Sequence, residues 1–348
     1  MKKLIKRFVP VATIRNIIGW IDDKVAIVAA QNSILAGIYY LFSGSFAREH
    51  QAVLAGRLAY ASGSTNAAGL RRNIHRIEKG IIMRPRRAVF AEAYIVDTVE
   101  KYQTCLFQNM LSDNEKCWAF DVLSHFFDIV DRSESETITF AHSKFNEIEA
   151  VHCDVNESVP YPRKNSVFSG IDFRNFYNLC KQRRSVRWYQ NREIPISMIE
   201  NAINAALQAP SACNRQPFDF VVITDPERAR RLAGLAGGTA GYAQNIQSLV
   251  IVLGDLSAYP YERDRHVIYI DSGLASMQLM LALETQGLSS CAINWPDVPH
   301  REQKMADELN LPSYKRVIML MSVGYADEDG LIPYSDKKTV DEVCQRSD

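Results

Sequence analysis

The chain of 348 residues is 47% hydrophobic and 23% charged, with 40 Lys and Arg against 40 Asp and Glu. So apolar a composition buries a large core and excludes wholesale disorder, and the length suggests roughly two domains at about 150 residues each. A formal charge of zero argues against a protein that coats nucleic acid, which needs an excess of Lys and Arg. No nucleic-acid partner is expected, although local basic patches stay open.

The N-terminus, Met1-Lys2-Lys3-Leu4-Ile5-Lys6-Arg7, is basic, but the apolar stretch of a signal peptide does not follow at once. Val25 to Ala47 then carries no charge over 23 residues, long enough to cross a bilayer. Gln31-Asn32-Ser33 interrupts its middle, and Gly37, Ser43, Gly44 and Ser45 dilute the rest. The stretch reads as a buried or interface helix, with contact between residues 1–47 and a membrane surface as the sharper alternative. The expected location is cytoplasmic, with membrane association as its variant.

Residues 71–87 form the densest basic segment, seven Lys or Arg against Glu78 alone. Such a run is commonly a solvated helix face; the sharper reading is an anion site for a nucleotide, a sugar phosphate or acidic lipid head groups. Ala91–Leu111 and Lys116–Val130 place apolar residues three and four apart and predict helices. From 132 to 168 the chain turns polar, with Pro160 and Pro162 among charges, and reads as a connector or long ordered loop.

Beyond Phe173, strands and helices alternate. Ile199–Gln208 predicts a helix ended by Pro210, and Phe218–Ile223 a strand. Pro226–Leu235 predicts a helix with Asp225 as N-cap and Pro226 at its first position. Ser248–Leu253 reads as an apolar strand, and Val267–Gln286 as a long helix ended by Gly287. Cys291–Trp295, Arg301–Leu309 and Val317–Val323 predict strand, helix and strand. The alternation indicates an α/β or α+β sandwich.

The seven cysteines are odd in number and contain no CxxC pair. They support neither a disulfide framework nor a zinc ribbon and point to a reducing compartment. His152-Cys153 is the only adjacent His/Cys pair and lacks partners at ligand spacing, so no metal site is expected. Cys213 has no identifiable general base beside it and is not read as a nucleophile.

Three pieces of the second half hold the candidate chemistry. Arg183-Arg184-Ser185-Val186-Arg187 offers three guanidinium forks and a hydroxyl to an anion such as phosphate; alone, such a run is more often a basic surface turn. Pro210-Ser211-Ala212-Cys213-Asn214-Arg215-Gln216-Pro217-Phe218 presents hydroxyl and amide groups between two prolines. It suits the hydrogen-bonding edge of a planar heterocycle, or is an ordinary helix-to-strand turn. The third runs from Asp271-Ser272-Gly273 to Cys291-Ala292-Ile293-Asn294-Trp295 and otherwise looks like core.

In this order and spacing, with the Gly324-Tyr325 turn and a late Lys-Lys pair, residues 173–343 resemble the nitroreductase family of FMN-dependent oxidoreductases. The resemblance implies an α+β, three-layer sandwich with a central, mainly antiparallel sheet, preceded here by a mainly helical N-terminal domain. The expected division is 1–131 for the helical domain, 132–168 for the connector and 169–348 for the FMN-binding domain. It implies a homodimer with FMN at the subunit interface. Arg183, Arg184, Ser185 and Arg187 would then bind the phosphate, ribityl chain and pyrimidine edge. Pro210, Ser211 and Ala212 would come from the partner subunit, with Asn214 and Gln216 near the isoalloxazine. Ile293, Asn294 and Trp295 would lay their backbone along the ring near N5, and Lys337 and Lys338 would supply positive charge to the phosphate. Phe218 stands where a Trp is common, Met277-Gln278 where Gln-Asn is frequent, and the 293–296 loop lacks the glycines of many relatives.

The implied activity passes hydride or electrons from NAD(P)H, NADH or NADPH, through flavin N5 to a small-molecule acceptor. No side chain need act as acid or base, so no catalytic residue is named. The alternative is a flavin-binding protein without turnover that serves as a binding or assembly component. The 71–87 segment loosely resembles N-terminal extensions of nitroreductase-like proteins linked with bacterial polysaccharide synthesis, which would be its setting.

Overall fold

A computed structural model describes residues 11–63, 65–149 and 158–346. The basic start Lys2–Arg7 and the His152-Cys153 pair lie outside the described residues. The chain divides into two compact units, residues 1–53 and 54–348.

In the first unit, helix α1 (Val11–Ala29) packs against helix α2 (Ser33–Ser43). Asn32 separates them because its side chain accepts the Ile34 N–H at 2.8 Å and caps α2. Gly44, at φ 66°, closes α2 in the left-handed region. No residue of α2 is buried; Leu41 and Phe42 are 76% and 84% exposed. The buried or interface helix expected across 25–47 is two helices, and the exposed apolar residues of α2 correct the buried alternative.

The second unit holds two kinds of core. Helices α4 (Ala68–Ile81), α5 (Ile95–Phe107), α6 (Asp113–Ile129) and α7 (Glu136–Asn146) follow α3 (Ala47–Ser62). Leu70, Ile74 and Ile77 meet Val99, Tyr102, Leu123 and Phe126 in one apolar cluster. Ser112 and Glu115 start α6 with a reciprocal capping box. Helix α7 lies within the stretch read as connector, yet Ile138, Ala141 and Phe145 bury in the same cluster. Cys105, Cys180, Cys213, Cys291 and Cys344 are free thiols. Cys117 is disulfide-bonded, which corrects the expectation from the cysteine count.

The remainder is α+β. Strands β1 (Phe218–Ile223), β2 (Ser248–Asp255), β3 (Ser289–Asn294) and β4 (Lys315–Gly324) form one antiparallel sheet in the order β1-β2-β4-β3. Alternate residues of a strand face opposite sides, and here both sides are covered. Leu249, Ile251 and Leu253 pack with α10 (Pro226–Ala233) and with Met305 of α12 (Pro299–Leu309). Val250, Met321 and Val323 pack with α9 (Ile196–Ala206) and α11 (Val267–Thr285). The result is the expected three-layer arrangement. Helix α11 is apolar enough to cross a membrane, but Leu279 and Leu283 are fully buried on the sheet, so its apolar character serves the core.

Candidate functional site

Helix α8 (Phe173–Gln182), capped by Asp172 through the Asn175 N–H at 2.7 Å, delivers the arginine segment. On leaving the helix the chain joins the free side of β3. Ser185 pairs with Ser290 in a parallel bridge, and the Val186 N–H donates to the Ser290 carbonyl at 3.1 Å. Tyr189 is buried behind this turn, its hydroxyl 2.8 Å from Ser322 Oγ. A Cβ at Gly324 would lie 2.5 Å from the Tyr189 ring, so the Gly324-Tyr325 turn needs glycine for that close approach.

Around this bridge, Arg183 Nε and Ser290 Oγ are buried with no hydrogen-bond partner among the described residues. Buried polar atoms are nearly always paired, and Ser290 is in the bridge itself while Arg183 stands two residues before Ser185. Arg187 has no carboxylate partner among the described residues; its Nη1 donates to the Ser185 carbonyl at 3.3 Å. Its guanidinium carbon lies 5.6 Å from the Tyr242 ring centre. Burial first, then the neighbouring Cys291, pushes the Tyr242 phenol up to about 12 against the pull of Arg187. The charge of Arg187 therefore stands beside a neutral phenol rather than an anion. Arg184 is used differently: it donates to the Pro333 carbonyl at 2.6 Å and to that of Tyr334. It fastens the exposed C-terminal arm on which Lys337 and Lys338 follow.

The second predicted piece precedes β1. Ser211 Oγ accepts the Gln216 N–H at 3.0 Å, and the Ala212 N–H donates to Asp271 Oδ2 of α11 at 3.0 Å. The Tyr259 hydroxyl donates to the same oxygen at 3.1 Å. Burial raises the Asp271 carboxyl above the ordinary range, opposed by these two donors and by Arg215. Arg71 of α4 reaches the loop, donating from Nε to the Asn214 carbonyl at 2.9 Å and from Nη2 to Gln216 Oε1 at 3.1 Å. Gln216 Nε2 donates to the Leu207 carbonyl at 3.2 Å. The Gln216 amide is thus committed at both ends, and Asn214 keeps the amide of this loop with no protein hydrogen bond among the described residues.

In the third piece, Ile293 and Trp295 are buried in the α10/α12 core while Asn294 is exposed between them. Trp295 Nε1 donates to Glu302. Arg316, itself 1% exposed, donates to Glu302 Oε2 at 3.1 Å and to Asp297 Oδ1 at 2.6 Å. These bonds fix the turn after β3, leaving its backbone and Asn294 as the outward-facing groups. Pro296 ends the strand one residue earlier than Trp295.

The structure joins the arginine segment to β3 but keeps both away from the Pro210–Gln216 loop. Within one sheet β1 and β3 are the opposite edges, roughly 14 Å apart at ~4.8 Å per strand. Tyr259, which sequence reasoning missed, is an aromatic with no motif around it, while Asp271, which opens the third predicted piece, bonds to the second one. Arg71 was visible only as one cation of the 71–87 run.

The profile of the Nitroreductase family matches residues 180–252 and 241–325. YdgI of Bacillus subtilis, whose name proposes an NAD(P)H nitroreductase, is 30% identical over 202 residues, covering 47% of this chain and 94% of that protein. Iodotyrosine deiodinase 1 of Pongo abelii is 24% identical over 211 residues, covering 53% of this chain and 71% of that protein. The structure of an FMN-dependent nitroreductase from Clostridium difficile is similar at 23% identity and a TM-score of 0.43, over 49% of this chain and 99% of that one. Through its C-terminal half, the chain belongs to the nitroreductase family.

Proposed function

We propose that the protein is an FMN-dependent oxidoreductase that takes electrons from NAD(P)H and passes them to a small-molecule acceptor. The observation that carries this reading is the pair of orphaned buried polar atoms, Arg183 Nε and Ser290 Oγ, together with Arg187, two residues past the bridge and without a carboxylate partner among the described residues. That donor set fits an anionic phosphate and a hydrogen-bonding ribityl chain. When bound, FMN supplies hydride transfer at N5, which no side chain of the protein provides. The chain's own residues bind and orient. Arg183, Ser185 and Arg187 hold the phosphate and pyrimidine edge, with Lys337 and Lys338 adding charge through the arm that Arg184 fastens. The backbone of Ile293–Trp295 lines the ring, and fixed N–H groups and cations there favour developing negative charge on it.

The opposed sheet edges support a homodimer, because a second chain would bring Pro210, Ser211, Ala212 and Asn214 to the arginine segment, with Gln216 bracing that loop. Exposed apolar residues fit a subunit contact: Phe173 and Tyr177 on α8, Ile270 and Leu274 on α11, Leu331 and Tyr334 on the arm. The test is an anaerobic titration. The purified full chain should be yellow, run as a dimer and bleach with NADH or NADPH. A colourless protein that takes up no added FMN overturns the reading, and a yellow one untouched by either nicotinamide favours a flavin-binding component without turnover. Acceptors for the assay include nitroaromatics and halogenated phenols, after the relatives' names.

In the first unit, Ile17, Ile21, Val25 and Val28 share one face of α1 and are each about half exposed. With the open apolar surface of α2, the Trp20 and Tyr40 rings and the basic start, this suits the surface of an anionic bilayer. The full chain should float with phosphatidylglycerol-containing vesicles, and I21D/L41D should not; wild-type protein left in solution at every lipid composition ends this reading.

A further inference from the structure

The helical part of the second unit takes no part in the chemistry above, yet Arg71 crosses 143 residues of sequence to reach Asn214. Its three nitrogens are all committed. Nε and Nη2 enter the loop at the Asn214 carbonyl and Gln216 Oε1, and Nη1 pairs with Glu115 Oε1 at 2.5 Å. Glu115 cannot swing freely, because its other oxygen accepts the Ser112 N–H and hydroxyl, each at 3.0 Å. Burial pushes the Glu115 carboxyl up, but the Ser112 N–H and Arg71 outweigh it and hold it below the ordinary range. The Arg71 side chain is 14% exposed and lies 5.3 Å from the Trp118 ring centre, so it is packed as well as paired.

The loop needs such an external hold. Cys213, Asn214 and Gln216 have φ of 55°, 52° and 50°, a left-handed conformation that non-glycine residues adopt only when their surroundings over-determine it. Ser211 supplies one local bond and Asp271 a second from α11. Within the loop the Asn214 N–H donates to the Ser211 carbonyl at 3.0 Å, and Gln216 holds Ser211 Oγ and the Leu207 carbonyl. Arg71 adds the bonds that reach the Asn214 carbonyl and Gln216 Oε1 from the helical region. A planar fork suits this task and an ammonium does not, since two acceptors must be met at once in fixed directions.

We propose that Arg71 is a positioning residue for the candidate flavin site: through one guanidinium, the helical region clamps the Asn214–Gln216 turn and sets the direction in which Asn214 offers its amide. The role assigned to that amide rests on the flavin reading; the clamp itself does not. It gives the otherwise unassigned helical region a definite function, that of a support for the loop that a second subunit would receive.

The experiment compares full-length wild type, R71M, R71K and E115Q. Hydrogen exchange reads the clamp without reference to flavin. In R71M the amides of residues 214, 215, 216 and 218 should exchange roughly ten-fold faster, the loss of about one charge-assisted bond, while those of 185–187 stay unchanged. FMN affinity should fall by a similar factor and the visible flavin spectrum should shift; R71K should restore little of either, and E115Q should lie between. Unchanged loop exchange in R71M overturns the clamp. Faster exchange with FMN affinity, spectrum and NAD(P)H reduction all unaltered overturns the positioning role. A wild-type protein that binds no FMN fails the flavin reading, and the positioning role with it, while the exchange data still decide the clamp. If R71M loses its helical circular dichroism, E115Q decides by the same two measurements.

Discussion

The two edges of the sheet solve the same problem differently. At the β3 edge, the turn after the strand is held from inside its own domain: Trp295, Glu302, Arg316 and Asp297 form a buried polar network. Beside it, the buried Arg183 Nε and Ser290 Oγ have no hydrogen-bond partner among the described residues. At the β1 edge, the loop is held from outside the domain by Arg71 and from α11 by Asp271, with Arg215 Nε and the Asn214 side-chain amide left without a partner among the described residues. One edge is built to receive hydrogen bonds and the other to hold a shape. A cradle assembled from two subunits needs both: an acceptor-seeking surface on one chain and a preformed turn on the other.

The largest effect should come from breaking the internal support of the β3 edge. Glu302→Ala leaves Arg316 buried without its buried carboxylate and Trp295 Nε1 without its acceptor. The expected loss is about 3–5 kcal/mol, read from urea unfolding; a loss below about 1 kcal/mol would show that the network is not what holds this turn. Next, Arg187→Ala should weaken FMN by about ten- to a hundred-fold, corresponding to one hydrogen bond to a charged group at about 1.5–3 kcal/mol. Folding should change little, because Arg187 makes no ion pair among the described residues. Equal FMN affinity in R187A and wild type would remove Arg187 from the site.

Ser290→Ala separates the edges more finely. Deleting an orphaned hydroxyl leaves nothing unsatisfied, so the FMN-free protein should be as stable as wild type or slightly more so. The flavin-loaded protein should lose a few-fold in affinity, about one neutral hydrogen bond. Destabilisation of the FMN-free form would mean that Ser290 Oγ already has a partner.

Much of the sheet was legible. Phe218–Ile223, apart from Asp219, and Leu249–Leu253 are β-rich apolar runs because helices cover both faces, and the strands stand where the runs do. Cys291–Trp295 was read two residues late at its start, since Ser289 and Ser290 look like turn residues yet pair with Gly324 and Val323. The helix at 136–146 was missed because its polar surface and the charged run before it resemble a linker; only Ile138, Ala141 and Phe145, spaced three and four apart, mark its buried side. At the site, the arginine segment was readable as a local cluster. The work of Arg184 on Pro333 and of Arg71 on Asn214 was not, because each joins residues more than 140 positions apart and neither partner is unusual in its own neighbourhood.

The smallest effect tests the β1 edge by pH, where its two carboxylates should act with opposite sign. Glu115 has a lowered folded-state pKa, so its contribution is present above the ordinary carboxylate range and is lost as pH falls through the folded value. Asp271 has a raised one; its contribution is full below the ordinary carboxylate range and is lost as pH rises through the folded value. Urea midpoints measured from pH 3 to 8 should therefore fall less steeply toward acid in E115Q than in wild type. In D271N they should decline less as pH rises out of the carboxylate range. An E115Q curve parallel to wild type would mean that Glu115 is not held by Ser112 and Arg71, and a parallel D271N curve would mean that the donors to Asp271 fully offset its burial. If only the E115Q curve is parallel, the Arg71 pairing is a solvated contact and the loop depends on Asp271 alone.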